Sequence, residues 1–418
     1  AYVLLAFGDL TAALAVFAFL GFFELAAIGG AALGALKLAG LLLALSWFGM
    51  LTTRESAQRT FATAHPFVFG ALVLFLAWAA LSLIWAENTS QATTDLSRFA
   101  LNAVLFLIIY SAVRKPSDAF VVAGAFVLGA AGAAIYGLLT PTAKFDERLT
   151  SAVLDPNELG ATLVAGAALA GGIAAPRGTS PAVRLGAFAA LVFCVVAALL
   201  TASRGSLIAL AVAIVAGLVL AGRWRPRFAL LAIVAVVGAF LYYAAAAPPE
   251  TRERIEETTR GSERVQEGRT TIWQVGWRAF EANPVNGVGV GNFRTASRHY
   301  LLQPGSLARS DTVVDEPSVA HNTYLEVLAE LGIVGIVLFG SVVFFSLGSS
   351  IKASRAFRAI GDHRMEALAI GLSVALIGTL AADFFISEQF RKQLWLLLGL
   401  GPALLSIART SGAWPAPD

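Results

Sequence analysis

The chain has 418 residues, 57% of them hydrophobic and only 14% charged, against roughly 25% charged residues in an ordinary soluble domain. A water-soluble fold is excluded, because no single core could hide that much apolar surface. The formal net charge of +3 comes from scattered Arg and Lys, which leaves no footprint for nucleic acid, and the single cysteine, Cys194, cannot close an intrachain disulfide and reads as a small buried residue.

Apolar runs long enough to cross about 30 Å of hydrocarbon recur along the chain, and helices are favoured because each satisfies its own backbone hydrogen bonds. They are predicted at 2–20, 26–51, 67–85, 97–113, 119–139, 159–175, 184–200, 206–221, 228–246, 323–349, 365–386 and 393–409. The first run has no basic leader or small-residue cleavage site and reads as a span. The fold class expected is therefore an all-α polytopic membrane protein of about twelve transmembrane helices. Helices 1–9 occupy residues 1–246, a large and mostly helical loop occupies 247–322, and helices 10–12 with a tail occupy 323–418.

Basic residues set the orientation. Arg54 and Arg59, Arg114 and Lys115, Arg177 and Arg184, Arg223, Arg225 and Arg227, and Lys352, Arg355, Arg358 and Arg364 fall in alternate connections. The short connections between them carry only Arg98, Lys144, Arg148, Arg204, Arg391 and Lys392. The first set is expected in the cytoplasm, with both termini inside and 247–322 outside. The nine arginines of that long loop do not oppose this, since long loops cross largely regardless of charge.

Within the loop, residues 250–267 read as a charged, solvated helix. GRTTIWQVGWRAFEANP follows, with Trp273, Trp277 and Phe280 at helical spacing, a stripe suited to the bilayer interface or to neighbouring helices. Pro284 and GVGVGNF end that helix. Gly287, Gly289 and Gly291 follow a helix instead of a strand and lack the spacing of a nucleotide-binding turn.

Ionisable residues within or beside the spans include Asp9, Glu24, Lys37 and Asp383. Asp9, Lys37 and Asp383 would carry function in a small-solute transporter, but Glu24 lies at a span end and the others form no evident relay. His299, Asp311, Asp315, Glu316 and His321 include metal-capable side chains at a spacing that fits no known site. More informative is a convergence on the outer side. TASRGS places Arg204 in the hairpin between the seventh and eighth spans, GRTTIW places Arg269 at the head of the aromatic helix, and AHNTYLEVLAELG places His321 where the loop enters the tenth span. Singly, such an arginine is more often an interfacial anchor and such a histidine a structural residue. As a pair at a membrane surface, two forked guanidinium groups suit a diphosphate, binding its oxygens and neutralising charge on a leaving group.

TASRGS, GRTTIWQVGWRAFEANPVNGVGVGNF and HNTYLEVLAELGIVG, with RLTSAVLDPNELG before them, resemble the motifs of the O-antigen ligase and polymerase superfamily over the central and C-terminal two thirds of the chain. The resemblance implies a GT-C-like, metal-independent glycosyltransferase without cofactor, which takes a glycan from undecaprenyl diphosphate at the periplasmic face of the bacterial inner membrane. It assigns Arg204 and Arg269 to the diphosphate and makes His321 the catalytic group, with Arg148 and Asn157 matching a further motif. Asn322 and Tyr324 are expected to help place the ring or the sugar. The aromatic helix, with Trp273, and the groove below it are expected to take sugar faces and the polyprenyl tail within the membrane lipid. Ligation to the lipid A core oligosaccharide is favoured by the compact outer loop. Chain polymerases and protein O-oligosaccharyltransferases share the donor and the site.

Overall fold

The computed structural model describes residues 2–23, 31–53, 61–140, 144–145, 148–151, 154–176, 178–230, 263–301 and 319–412, with positions 233, 237 and 244 between them. The helices are α1 (Tyr2–Gly8), α2 (Leu10–Leu20), α3 (Ala31–Thr53), α4 (Phe61–Ala64), α5 (Pro66–Leu81), α6 (Thr89–Ala112), α7 (Pro116–Leu139), α8 (Pro156–Ala174), α9 (Pro181–Leu200) and α10 (Arg204–Leu220). After the long loop begins, α11 (Glu263–Ala282), α12 (Phe293–Leu301), α13 (Thr323–Ala359), α14 (His363–Ala382) and α15 (Lys392–Thr410) follow. A two-residue antiparallel pair, β1 (Lys144–Phe145) and β2 (Arg148–Leu149), interrupts the helices between α7 and α8.

The chain is an all-α polytopic membrane protein. Among the described residues, eight helices are long and apolar enough to span a bilayer, and α10, bent by 116° into Gly222–Leu230, makes a ninth if the pair is one span. The expected runs at 2–20 and 26–51 contain shorter apolar helices, Leu10–Leu20 and Leu36–Leu51. Most of the run at 228–246, most of 250–267, and Glu24, Asp311, Asp315 and Glu316 lie outside the described residues.

Burial separates centre from rim. In α8, α14 and α15 the apolar window is 78%, 83% and 83% buried, whereas in α9 it is 22% buried, so α9 faces lipid and the other three form the core. Small residues allow the central contact: a Cβ on Gly172 of α8 would strike the Ala367 carbonyl and the Gly371 Cα of α14. Without a hydrophobic force between helices in lipid, such backbone approach supplies the packing.

Helix α13 is broken. Gly332 has φ 65° and ψ −166°, which divides a two-turn stub, residues 323–331, from the long span that follows. The carbonyls released at the end of the stub are taken up from outside it. Val288 N–H donates to Ala329 O at 3.0 Å, Gly289 N–H to Glu330 O at 2.8 Å, and the Trp78 indole to Leu331 O at 2.9 Å. Ile333 N–H donates in turn to Pro284 O at 2.9 Å. The glycine-rich GVGVGNF segment thus replaces the missing rungs of the helix, and non-helical backbone is tolerated because it is buried in protein. A Cβ on Gly287 would collide with the Glu330 carbonyl, which gives that glycine a packing reason.

The two ends of the bundle differ. At one end lie the N-termini of α8, α10 and α13 and the C-terminus of α14. At the other, Arg223 and Arg358 pair with the buried Glu366 at 2.8 and 2.7 Å, and Arg227 and Arg225 donate to the Ala175 and Leu218 carbonyls near helix C-termini.

Candidate active site

The hairpin between α9 and α10 presents Arg204. Ala202 adopts φ +47°, Ser203 caps α10 by accepting from Ser206 N–H at 3.2 Å, and Arg204 is the first helical residue. The hairpin is held from outside by Arg148 of β2, whose Nε donates to Thr201 O at 2.9 Å and whose Nη2 donates to Asn157 Oδ1 at 3.1 Å. Ser203 Oγ donates to the same Asn157 oxygen at 2.8 Å. Asn157 sits in the first turn of α8, fixed by the Asp155 cap and the capping box with Glu158. Arg148 and Asn157, expected to bind substrate, also brace the hairpin that carries Arg204.

His321 stands at the other lip. Its φ is +48°, and with Ala202 it is one of two non-glycine residues with positive φ among those described. Asn322 caps the stub of α13, accepting from Tyr324 and Leu325 N–H at 3.0 Å each. The Tyr324 hydroxyl donates to Leu380 O at 2.7 Å and its ring packs on Phe384. Asn322 Oδ1 and the Tyr324 hydroxyl thus help seat the stub, which places His321 through the backbone. Trp273 Nε1 donates to Ala320 O at 3.1 Å, one turn of α11 beyond Arg269, and so ties the aromatic helix to the residue before His321. The buried face of α11 is Ile272, Val275 and Ala279, packed with Phe293, Ala320 and Ala329. The aromatic residues flank that face, and Trp273 and Trp277 line a groove of about 530 Å³ with Thr270, Gln274, Arg278 and Glu281.

Electrostatics joins the pieces. Burial, then the Arg204 charge, pushes Arg269 below the usual arginine value, with Asp155 opposing. Burial, then the Arg269 charge, pushes His321 below 6.5, with Asp155 again opposing and Arg294 adding to the fall. Arg269 thus lies within electrostatic reach of both Arg204 and His321, and Asp155 is an acidic group felt by Arg269 and His321. Two guanidinium groups in a half-buried site repel each other and favour an anion between them. A histidine held neutral by its surroundings is competent as a base near neutrality.

Residues 189–340 match the family model Wzy_C, described as O-antigen ligase. Over that stretch the chain resembles an O-antigen ligase domain, which supports membership of the O-antigen ligase and polymerase superfamily. The matched stretch of this O-antigen ligase family domain contains Arg204, Arg269 and His321. The match supports glycosyl-transfer-type chemistry in O-antigen processing, on a lipid-linked glycan at a membrane. A search of curated proteins finds no match to the chain.

One element at this end of the bundle was given no part in the site by the sequence, the connection from α14 to α15. Thr323 N–H donates to Asp383 O and Ile386 O at 2.9 Å each, and Glu388 N–H donates to Thr323 Oγ1 at 2.8 Å. From the same connection Arg391 forms an ion pair with Glu158 of α8 and lies 3.7 Å from Glu388. The connection thus touches both the histidine stub and the helix that braces the arginine hairpin. The residues of the transporter reading are placed otherwise. Asp9 caps α2, Lys37 is exposed on α3, and Asp383 is fully buried with no hydrogen bond to its carboxylate among the described residues. His299 lies 3.1 Å from Glu87, and no group of three metal-capable side chains occurs among the described residues.

Proposed function

We propose that the protein is an O-antigen ligase, a metal-independent inverting glycosyltransferase that moves O-antigen polysaccharide from undecaprenyl diphosphate to the lipid A core oligosaccharide. The observation that carries the reading is Arg269 within electrostatic reach of both Arg204 and His321, inside the stretch that matches the O-antigen ligase family model. The guanidinium pair binds the diphosphate and disperses the charge that builds on it as the glycosidic bond breaks. His321 takes the proton of the acceptor hydroxyl as the new bond forms, and direct displacement inverts the anomeric centre. The groove beside Trp273 takes sugar, and an apolar pocket among Val164, Leu191, Val195, Leu210 and Ala213 lies along α10 below Arg204, on the path of the polyprenyl tail.

The orientation that goes with this reading puts the arginine-rich end with Arg223, Arg225, Arg227 and Arg358 in the cytoplasm. The site then opens on the periplasmic face of the inner membrane. Residues 1–246 and 323–418 form the two membrane units and 247–322 the periplasmic loop. Purified protein supplied with a glycan on polyprenyl diphosphate should transfer it to lipid A core. Transfer only to another lipid-linked glycan would make it a polymerase, and transfer only to protein an oligosaccharyltransferase.

A further inference from the structure

His321 is conformationally strained, and a non-glycine residue in the left-handed region persists only where its surroundings over-determine it. On its C-terminal side the backbone is held at Thr323 by the Asp383 and Ile386 carbonyls. On its N-terminal side the decisive group is a carboxylate, Glu326, which is 5% exposed. Glu326 Oε2 accepts from Ala320 N–H at 2.9 Å and from the Ser387 hydroxyl, while Oε1 accepts from Gln389 Nε2 at 2.8 Å. One side chain therefore joins the residue before the histidine to two points of the α14–α15 connection.

We propose that Glu326 is a positioning residue of the transfer site, holding the backbone at residue 320 so that His321 faces the arginine pair. A leucine would fill the same space without removing a carboxylate from water. What the carboxylate adds is direction, three donors from three points of the chain converging on two oxygens. Its place in the first turns of the stub, near the helix N-terminus, also suits a negative group. Because the helix breaks at Gly332, the orientation of the stub is set by lateral contacts, these bonds among them.

The inference rests on the reading of His321 as the reacting base, and the test separates the two. Full-chain protein in lipid nanodiscs is assayed for transfer from a polyprenyl-diphosphate glycan, with His321→Ala as the reference. Glu326→Leu should lower kcat by about 100-fold, the effect of misplacing a reacting group by about 1 Å, with donor KM within about threefold of the parent. Glu326→Gln, which offers one acceptor and one donor to a site of donors, should fall between. Should Glu326→Leu fail to fold, Ser387→Ala, which removes one donor, should still lower kcat with KM unchanged. Parental kcat in folded Glu326→Leu beside inactive His321→Ala would overturn this inference and leave the function intact. So would a loss of donor binding and thermal stability in step with kcat. Parental activity in His321→Ala would overturn the reading on which it rests.

Discussion

Replacing Asn157 by leucine removes one acceptor that serves two donors, Arg148 Nη2 and Ser203 Oγ. A bond to a charged group contributes about 1.5–3 kcal/mol and a neutral one about 0.5–1.5 kcal/mol, so roughly 2–4 kcal/mol of hairpin ordering is at stake. Arg148 keeps its bond to Thr201 O and Ser203 keeps its cap on Ser206 N–H, so the hairpin loosens without unravelling. The expected result is a fall of roughly 10- to 100-fold in kcat/KM for the lipid-linked donor, with the protein still folded by thermal-shift and size-exclusion profiles. Asn157→Asp discriminates between bracing and substrate contact. Both bonds use the side-chain oxygen, so aspartate preserves them, whereas an asparagine that bound phosphate through its amide nitrogen would be ruined by a negative charge. Activity of Asn157→Asp well above that of Asn157→Leu is expected. The reverse order, or parental kinetics in Asn157→Leu, would refute the bracing argument.

Arg204→Lys and Arg269→Lys keep charge but lose the fork, so each should reduce transfer substantially with alanine worse, measured as donor kcat/KM; a lysine variant equal to the parent would reduce that arginine to an interfacial anchor. His321 works as a base only when neutral, and burial with Arg269 holds it below 6.5, so the acid limb of the kcat/KM profile should lie below pH 6.5. Asp155→Asn removes an anion that favours the protonated ring, keeps a good helix cap, and should move that limb to lower pH, whereas Arg269→Gln should move it up. Transfer should persist in excess chelator; abolition, with recovery on adding one divalent ion, would replace the arginine mechanism by a metal one.

Much of the fold was legible because hydrocarbon imposes length and composition on each span, and the described spans fall where the apolar runs do. The break in α13 was not legible. Gly332 sits in AELGIVG, and glycine is frequent in membrane helices, so composition gives no sign that a helix stops there. Only the donors from Val288, Gly289 and Trp78, far away in sequence, reveal it. At the candidate site, Arg204, Arg269 and His321 could be singled out because each heads a distinct local pattern. Their brace could not. Glu326, Ser387, Gln389 and Arg391 are ordinary polar residues of a helix turn and a short connection, and their roles come from tertiary contacts between segments that no local periodicity links. Arg148 and Asn157 were read as substrate-binding from their motif, and nothing local in the sequence signals the bonds they make to Thr201 and Ser203.

The central claim is that His321 is the base for transfer. The direct measurement is glycan transfer by folded, membrane-inserted His321→Ala, His321→Arg and His321→Lys, from a polyprenyl-diphosphate donor to lipid A core. Removing a general base takes away roughly 10²- to 10⁴-fold in rate, and neither cation can accept the acceptor's proton, so all three should be nearly inactive. Parental rates in His321→Ala would contradict any catalytic role, and substantial activity in His321→Arg would make the residue a third cation on the diphosphate.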